Sequence, residues 1–387
     1  MKLISPLYIV LYSFIIFVLF SSLPPSYYSS VIGEKNYMFF DLKSYVYISF
    51  FLLFFALGSI VQSIFPNVVL VKRLRKNKIN ASGLEVTLVL LFCLSILMFS
   101  IIDLFGRNQG LIGIFLTAAG SLKSELNTNA LFIPIIYFTI GICFWSFNKY
   151  LNHELTKLQG YLTFATNFLL VSTMVIMAAR YLLMPFLSSL FVIFINRKVR
   201  SKEITPKIII YISLILALII ASFVTFQIMR GGNAMYGLIG YGPASFNRMS
   251  AYLNGEYELY VNKLYYISSI FKGGWSTYSI IQEEHDAVQR AGLDWALNWM
   301  TMYGYIYHSL GWFSLGYSFL LGMIYQFFWN GFYRGGQAST VVYPWLFSCS
   351  MLWFSYNILA YSQTAIFIMV GILLGGVQIV SYKKKHR

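Results

Sequence analysis

The stretch RGGNAMYGLIGYGPASFNRMSAYLNGEYELYVNKLYYISSIFKGGWSTYSIIQEEHDAVQRAGLDWALNWMTM, residues 230–302, decides how this chain is read. It sets Arg230, Arg248, Lys263, Lys272 and Arg290 against Glu256, Glu258, Glu283, Glu284, Asp286 and Asp294. No other polar connection in the chain approaches its length. Outside it the sequence is dominated by apolar runs: of 387 residues, 58% are hydrophobic, 19% aromatic and only 11% charged. Soluble domains carry about 25% charged residues, so the composition describes a polytopic membrane protein. A membrane protein that gathers its polar chemistry into one connection is expected to act on something presented at that face.

Runs near 20 apolar residues mark helical spans. Ten are expected, at 5–23, 45–65, 84–102, 131–148, 159–179, 181–196, 208–228, 303–328, 340–358 and 363–381. The chain then divides into residues 1–229 with seven helices, 230–302 as one large loop, and 303–387 with three helices and a basic tail. Lysine and arginine set the orientation. With both termini in the cytoplasm, that side receives Lys2, the Lys72–Lys78 cluster, Lys149, Lys157, the Arg197–Lys207 cluster, Arg334 and the tail Lys383–Arg387. Its acidic residues are Glu85, Glu154 and Glu203. The outer side balances to zero, so the whole formal net charge of +15 falls on one face. The basic balance is therefore a topology signal, not a sign of nucleic-acid binding.

Several local readings follow. Met1–Leu23 is an uncleaved first span, since Ser22-Leu23-Pro24-Pro25 lacks the small-residue pattern of a cleavage site. Residues 111–122 are apolar but short, which suits a re-entrant or interfacial segment. Residues 161–195 hold a single charge, Arg180. One helix of that length would reach about 52 Å across a core of about 30 Å, so a hairpin turning near Arg180 is expected. Pro185 then falls in the first turns of the returning helix, where proline is tolerated. Within the loop, Glu256–Lys272 reads as an amphipathic helix ended by Gly273-Gly274, its Tyr257, Tyr260, Val261, Leu264 and Phe271 sharing one face. It would lie on the outer leaflet or pack the loop onto the bundle. Gly237–Pro243 could bring backbone N–H groups to an anion but reads better as a plain turn. Cys93, Cys143 and Cys349 lie in apolar runs and read as buried small hydrophobes with no disulfide.

Four arginines are placed at or near membrane level on the outer side: Arg180, Arg230, Arg248 and Arg290. Arginine stays charged and presents a planar fork of donors suited to phosphate oxygens. Holding one near a bilayer is costly, which makes each a candidate; snorkelling to lipid headgroups is the plain alternative. His285, in Glu283-Glu284-His285-Asp286, could join a divalent-cation site or act as a general base, but the cluster reads better as a solvated acidic turn. His308, expected one or two turns below the outer surface, is either a satisfied core histidine or a base for a hydroxyl.

These placements resemble the oligosaccharide repeat-unit polymerases, the O-antigen polymerases called Wzy, and more distantly the O-antigen ligases. The resemblance rests on Ala178-Ala179-Arg180, on Arg230 at the start of the large loop, on Tyr241–Asn247, and on Asn298–Thr301 through His308–Gly316. It covers about residues 161–328. Relatives often carry an acidic residue near the position of His308. The resemblance implies a glycosyltransferase-C-like architecture in a bacterial inner membrane, with the loop periplasmic. It implies a glycosyltransferase whose donor and acceptor are undecaprenyl-diphosphate-linked oligosaccharides in a lipid membrane. Arg180, Arg230 and Arg248 would bind the diphosphate, and Arg230, Arg290 and His308 would be catalytic. Arginines standing in for a metal imply no cofactor. A chain-length regulator protein as a further partner stays open. A lipid-linked oligosaccharide flippase or other transporter, the ligase, and a membrane acyltransferase are the alternatives.

Overall fold

The computed structural model describes residues 4–64, 83–107, 132–176, 180–200, 217, 221, 234–260, 263, 265–268, 282–294, 300–354 and 362–375. Every regular element among them is helical. The expected seventh span at 208–228, the segment 111–122 and Arg230 lie outside the described residues, apart from single positions 217 and 221.

Helix α1 (Pro6–Ser21) opens with proline at its first turn, where the missing N–H costs nothing. Pro24 and Pro25 bend the chain, and the short helix α2 (Pro25–Tyr27) runs into a π turn, Tyr28–Ile32, that ends on Gly33 at φ 76°. Helices α3 (Leu42–Ile64), α4 (Gly83–Arg107), α5 (Phe132–Leu151), α6 (Lys157–Ile176) and α7 (Arg180–Arg200) follow. Two helices occupy the stretch read as a hairpin, one ending at Ile176 and the next opening at Arg180 with Pro185 inside it; the expected turn at 177–179 lies outside the described residues. After them come α8 (Ala234–Leu253), α9 (Tyr265–Ser268), α10 (Gln282–Arg290), α11 (Met302–Leu310), α12 (Ser314–Tyr333), α13 (Gln337–Ser350) and α14 (Ser362–Gly375).

Among the described residues, two helices are long and apolar enough to cross a membrane: α3, and α4 over Glu85–Asp103. The pair Pro6–Ser21 and Pro25–Ile32, bent by 83°, makes a third if it counts as one span. The surface agrees with that character. Leu11, Phe14 and Leu19 on α1, Phe92 and Phe99 on α4, Phe164 and Phe168 on α6, and Leu320 and Ile324 on α12 are all exposed. Apolar exposure spread over so many helices suits a lipid surround rather than water. Inside, small and hydroxyl residues bring helices together, as lipid-embedded packing requires.

Helices α3 and α12 form the tightest seam, and they run parallel. Tyr47 Oη donates to Ser314 Oγ at 3.0 Å, Ser318 Oγ to the Phe51 carbonyl at 2.6 Å, and Ser59 Oγ to the Gly322 carbonyl at 3.1 Å. A Cβ on Gly58 would stand 1.9 Å from the Phe319 carbonyl oxygen; one on Gly322 would stand 2.1 Å from that of Phe55. Elsewhere the helices are locked by aromatic contacts and by polar bonds, including Trp345 on Phe367 (4.3 Å between rings), Tyr325 Oη to the Leu346 carbonyl (2.9 Å) and Ser189 with Ser348 (3.1 Å). The three cysteines are free and buried in this packing.

Four expectations require correction. Residues 303–328 do not form one helix. Thr301 caps α11 by accepting from Gly304 N, and Gly311, at φ 56°, turns the chain before α12 begins. At nine residues, about 14 Å, α11 is too short to cross a bilayer. Gly237–Pro243 is not a turn but part of α8. Its Gly242 lies against α1, where a Cβ would meet the Phe20 ring at 2.3 Å. Glu256–Tyr260 is not helical, and Tyr257 is buried in the fold rather than laid on a leaflet. Finally, His285 sits on helix α10, not on a turn.

Candidate functional site

The segment between α2 and α3, helix α8 and the α10 region meet at one head of the bundle. Burial brings their polar groups together. Helix α10 docks Ala287 and Val288, with Ala291 and Leu293 beyond it, onto Tyr37, Ala251 and Tyr257. Lys43 Nζ donates to the Leu253 carbonyl, placing a cation at the C-terminal end of α8 as the helix dipole favours.

Glu34 is the hub of this head. It is 2% exposed, and one carboxylate oxygen accepts from Asp294 N–H at 3.0 Å while the other accepts from Asn247 Nδ2 at 3.0 Å. Asn247 returns its Oδ1 to Tyr37 N–H at 2.6 Å. Burial pushes the Glu34 carboxyl above the usual carboxylate range, while the bonds from Asn247 and Asp294 and the positive charge of Arg248 pull it back. Arg248 is 1% exposed; it donates to the Asp294 carbonyl at 2.8 Å and lies over the Tyr257 ring at 5.4 Å. Asp41 accepts from Lys43 N–H, Ser44 N–H, Ser44 Oγ and Ser250 Oγ, joining α3 to α8.

One turn beyond Arg248 on α8, Tyr252 Oη lies 2.9 Å from His308 Nδ1. Burial holds the Tyr252 phenol above its ordinary value, with Tyr307 and Glu258 adding to the shift, so it stays a neutral hydroxyl. His308 is 7% exposed, and Tyr252 and Tyr266 meet its ring edge-on at 5.6 and 6.0 Å. Tyr266 packs on Tyr305 at 4.2 Å, and Tyr307 meets Trp312, which is half exposed, at 5.9 Å. The result is an aromatic surface around one imidazole, fixed at the end of a short helix. Aromatic faces with a few placed polar groups suit an organic ligand that carries hydroxyls.

The predicted site residues fare differently. Arg248 and His308 belong to one face of the head, linked through Tyr252. Arg248, however, is not at a membrane-facing surface; it is enclosed, and its guanidinium holds the Asp294 carbonyl. That corrects its expected place at a membrane-level surface, and the physical reason is the desolvated position that Glu34 and Tyr257 create for it. Arg290 is the exposed last residue of α10. Arg180 opens α7, a helix that packs on α13, α5 and α6. Glu34, Tyr252 and Asp294 had no motif to announce them, and Asn247 stood out only as the end of the Tyr241–Asn247 stretch; Glu34 and Asp294 meet only across 260 residues of sequence. Among the described residues, no three His, Cys, Asp or Glu side chains converge as a metal site would need. No protein family, curated protein or solved structure matches this chain.

Proposed function

We propose that this chain is a membrane glycosyltransferase of the O-antigen polymerase kind. It would join undecaprenyl-diphosphate-linked oligosaccharide repeat units at the periplasmic face of a bacterial inner membrane. The reading takes the chain as ten spans, with α12 in place of 303–328 as the eighth, both termini cytoplasmic and residues 230–302 periplasmic. It is supported by the one-sided basic charge and by the resemblance over about residues 161–328. The observation that carries it is the Tyr252–His308 pair set in an aromatic surface at the head of the bundle.

In this reading a sugar hydroxyl of the incoming lipid-linked unit attacks the anomeric carbon of the growing chain. The new glycosidic C–O bond forms as the bond to the lipid diphosphate breaks, and the hydroxyl proton passes to His308. With its proton on Nδ1, donated to Tyr252 Oη, the imidazole offers Nε2 as the base. The departing diphosphate gains negative charge, which Arg180, Arg230 and Arg290 stabilise. Arg248 is a positioning residue, because it ties α8 to the residues after α10.

A lipopolysaccharide gel from a strain deleted for the gene tests the reading. The expected pattern is a single repeat unit on core without a ladder, since flipping and ligation continue. Bare core would instead assign a flippase or ligase, and an unchanged ladder would refute an O-antigen role. Complementation with Arg180→Ala or Arg230→Ala should restore no ladder although the protein inserts, and Arg→Lys should restore little, because lysine lacks the bidentate fork.

The base has its own test. His308→Ala should slow chain extension by about 10²–10⁴-fold. Tyr252→Phe, which keeps the ring but removes the hydroxyl partner, should leave a working enzyme with a shifted pH–rate profile. A His308→Ala variant extending chains at the wild-type rate would remove it from the reaction.

A further inference from the structure

The opposite end of the bundle holds a second polar feature, independent of the proposed reaction. Helix α12 runs 20 residues from Ser314, about 30 Å, the thickness of a bilayer core. Where it ends, a cavity of about 210 Å³ opens among Asn148, Asn152, Asn196, Arg197, Arg334, Gly335 and Thr340. Its walls come from the last turns of α5, α7 and α12 and the first turn of α13. It is smaller than the pockets that hold drug-sized ligands and matches a headgroup-sized one.

The lining is specific in its chemistry. Arg197 and Arg334 bring two permanent positive charges from different helices. They outweigh the partial negative charge of the helix C-termini around them. Asn196 is 6% exposed; its Nδ2 donates to the Phe332 carbonyl at 3.4 Å, and its Oδ1 has no partner among the described residues. Asn152 repeats the pattern, with Nδ2 bonded to Glu154 Oε1 at 3.0 Å and Oδ1 unpartnered. Thr340, also in the lining, donates its hydroxyl to the Gly336 carbonyl, which leaves the oxygen's lone pairs as acceptors. A buried amide oxygen without a donor is costly. The cavity therefore offers positive charge to anionic oxygens, while its two asparagine oxygens call for hydroxyl donors. Tyr150 and Tyr333 are exposed beside it, and Lys149 lies over the Trp145 ring at 5.1 Å. Amphipathic aromatics and basic residues together mark headgroup level.

We propose that this cavity binds a glycerophosphate group, its phosphate on Arg197 and Arg334 and its hydroxyls on Asn196 and Asn152. Two sources offer that chemistry: the headgroup of phosphatidylglycerol and free glycerol phosphate. The test is native mass spectrometry of the full-length protein with phosphatidylglycerol, with phosphatidylcholine, and with soluble sn-glycerol 1-phosphate. Phosphatidylglycerol retained over phosphatidylcholine supports a lipid source, and retention of the soluble ester alone supports the free one. The exposed Arg334→Gln should weaken binding about tenfold, as loss of one charge-assisted contact does, and R197Q/R334Q should abolish it. Lys157→Gln, on the same face but outside the cavity, should change nothing. A melting curve on each variant separates lost binding from lost folding. Equal binding of phosphatidylglycerol and phosphatidylcholine with none of the soluble ester, or undiminished binding by a folded R197Q/R334Q protein, would overturn the proposal.

Discussion

Gly322→Leu is expected to break the bundle. The glycine faces α3 so closely that its first side-chain carbon would stand 2.1 Å from the Phe55 carbonyl oxygen and 3.1 Å from Ser59 N. Both obstacles are backbone, so no rotamer change relieves them. The helices must separate, and separation also breaks the bonds from Ser59 Oγ to Gly322 and from Ser318 Oγ to Phe51. Overpacking together with two lost interhelical bonds costs about 2–5 kcal/mol. Gly58→Leu meets the Phe319 carbonyl in the same way and should match it. Gly316→Ala is the control, because on the same helix its added carbon meets nothing within 4 Å. Thermal unfolding of detergent-purified protein should place both leucine variants well below wild type and Gly316→Ala beside it. Leucine variants that melt with the control would refute the seam.

Arg248→Ala is expected to undock the head rather than melt the whole molecule. The substitution removes the bond to Asp294, the cation over Tyr257, and the positive charge facing buried Glu34. Truncating one partner of a buried charged network costs about 3–5 kcal/mol. The loss should fall on the docking of α10, whose apolar contact is the small cluster around Ala251, Tyr257 and Val288. Hydrogen exchange, corrected for the intrinsic effect of pH, should rise in residues 282–294 and stay low in α3 and α12. Glu34 adds a pH dependence of known sign. Its folded-state carboxyl sits above its ordinary value, so the folded head binds the proton more tightly than the open one. Docking is therefore strongest below the ordinary carboxylate value and weakens as pH rises through the folded one. Acidification should partly rescue the variant. Uniform exchange across the molecule, or protection that increases with pH, would contradict this assignment.

These two variants also separate what could be read along the chain from what could not. The runs at 45–65 and 84–102 carried their helices openly, because a continuous apolar stretch has no other way to satisfy its backbone in a lipid surround. His308 was visible as a lone ionisable residue in an apolar stretch, although the helix expected to carry it stops at Leu310. A glycine at 311 says nothing by itself about the positive φ it adopts.

Arg248 shows the limit most clearly. Its charge, its near neighbours and the helical, membrane-suited character of the chain are legible along the residues. That this arginine is enclosed is a matter of packing, because its surroundings come from Glu34, Tyr257 and Asp294, which meet only across long stretches of chain. Tyr252 and His308 are likewise 56 residues apart and share a hydrogen bond through the packing of α8 against α11. Periodicity and composition act over a few helical turns and so fix the elements. Which buried polar group satisfies which other depends on how those elements dock, and no local pattern carries that information.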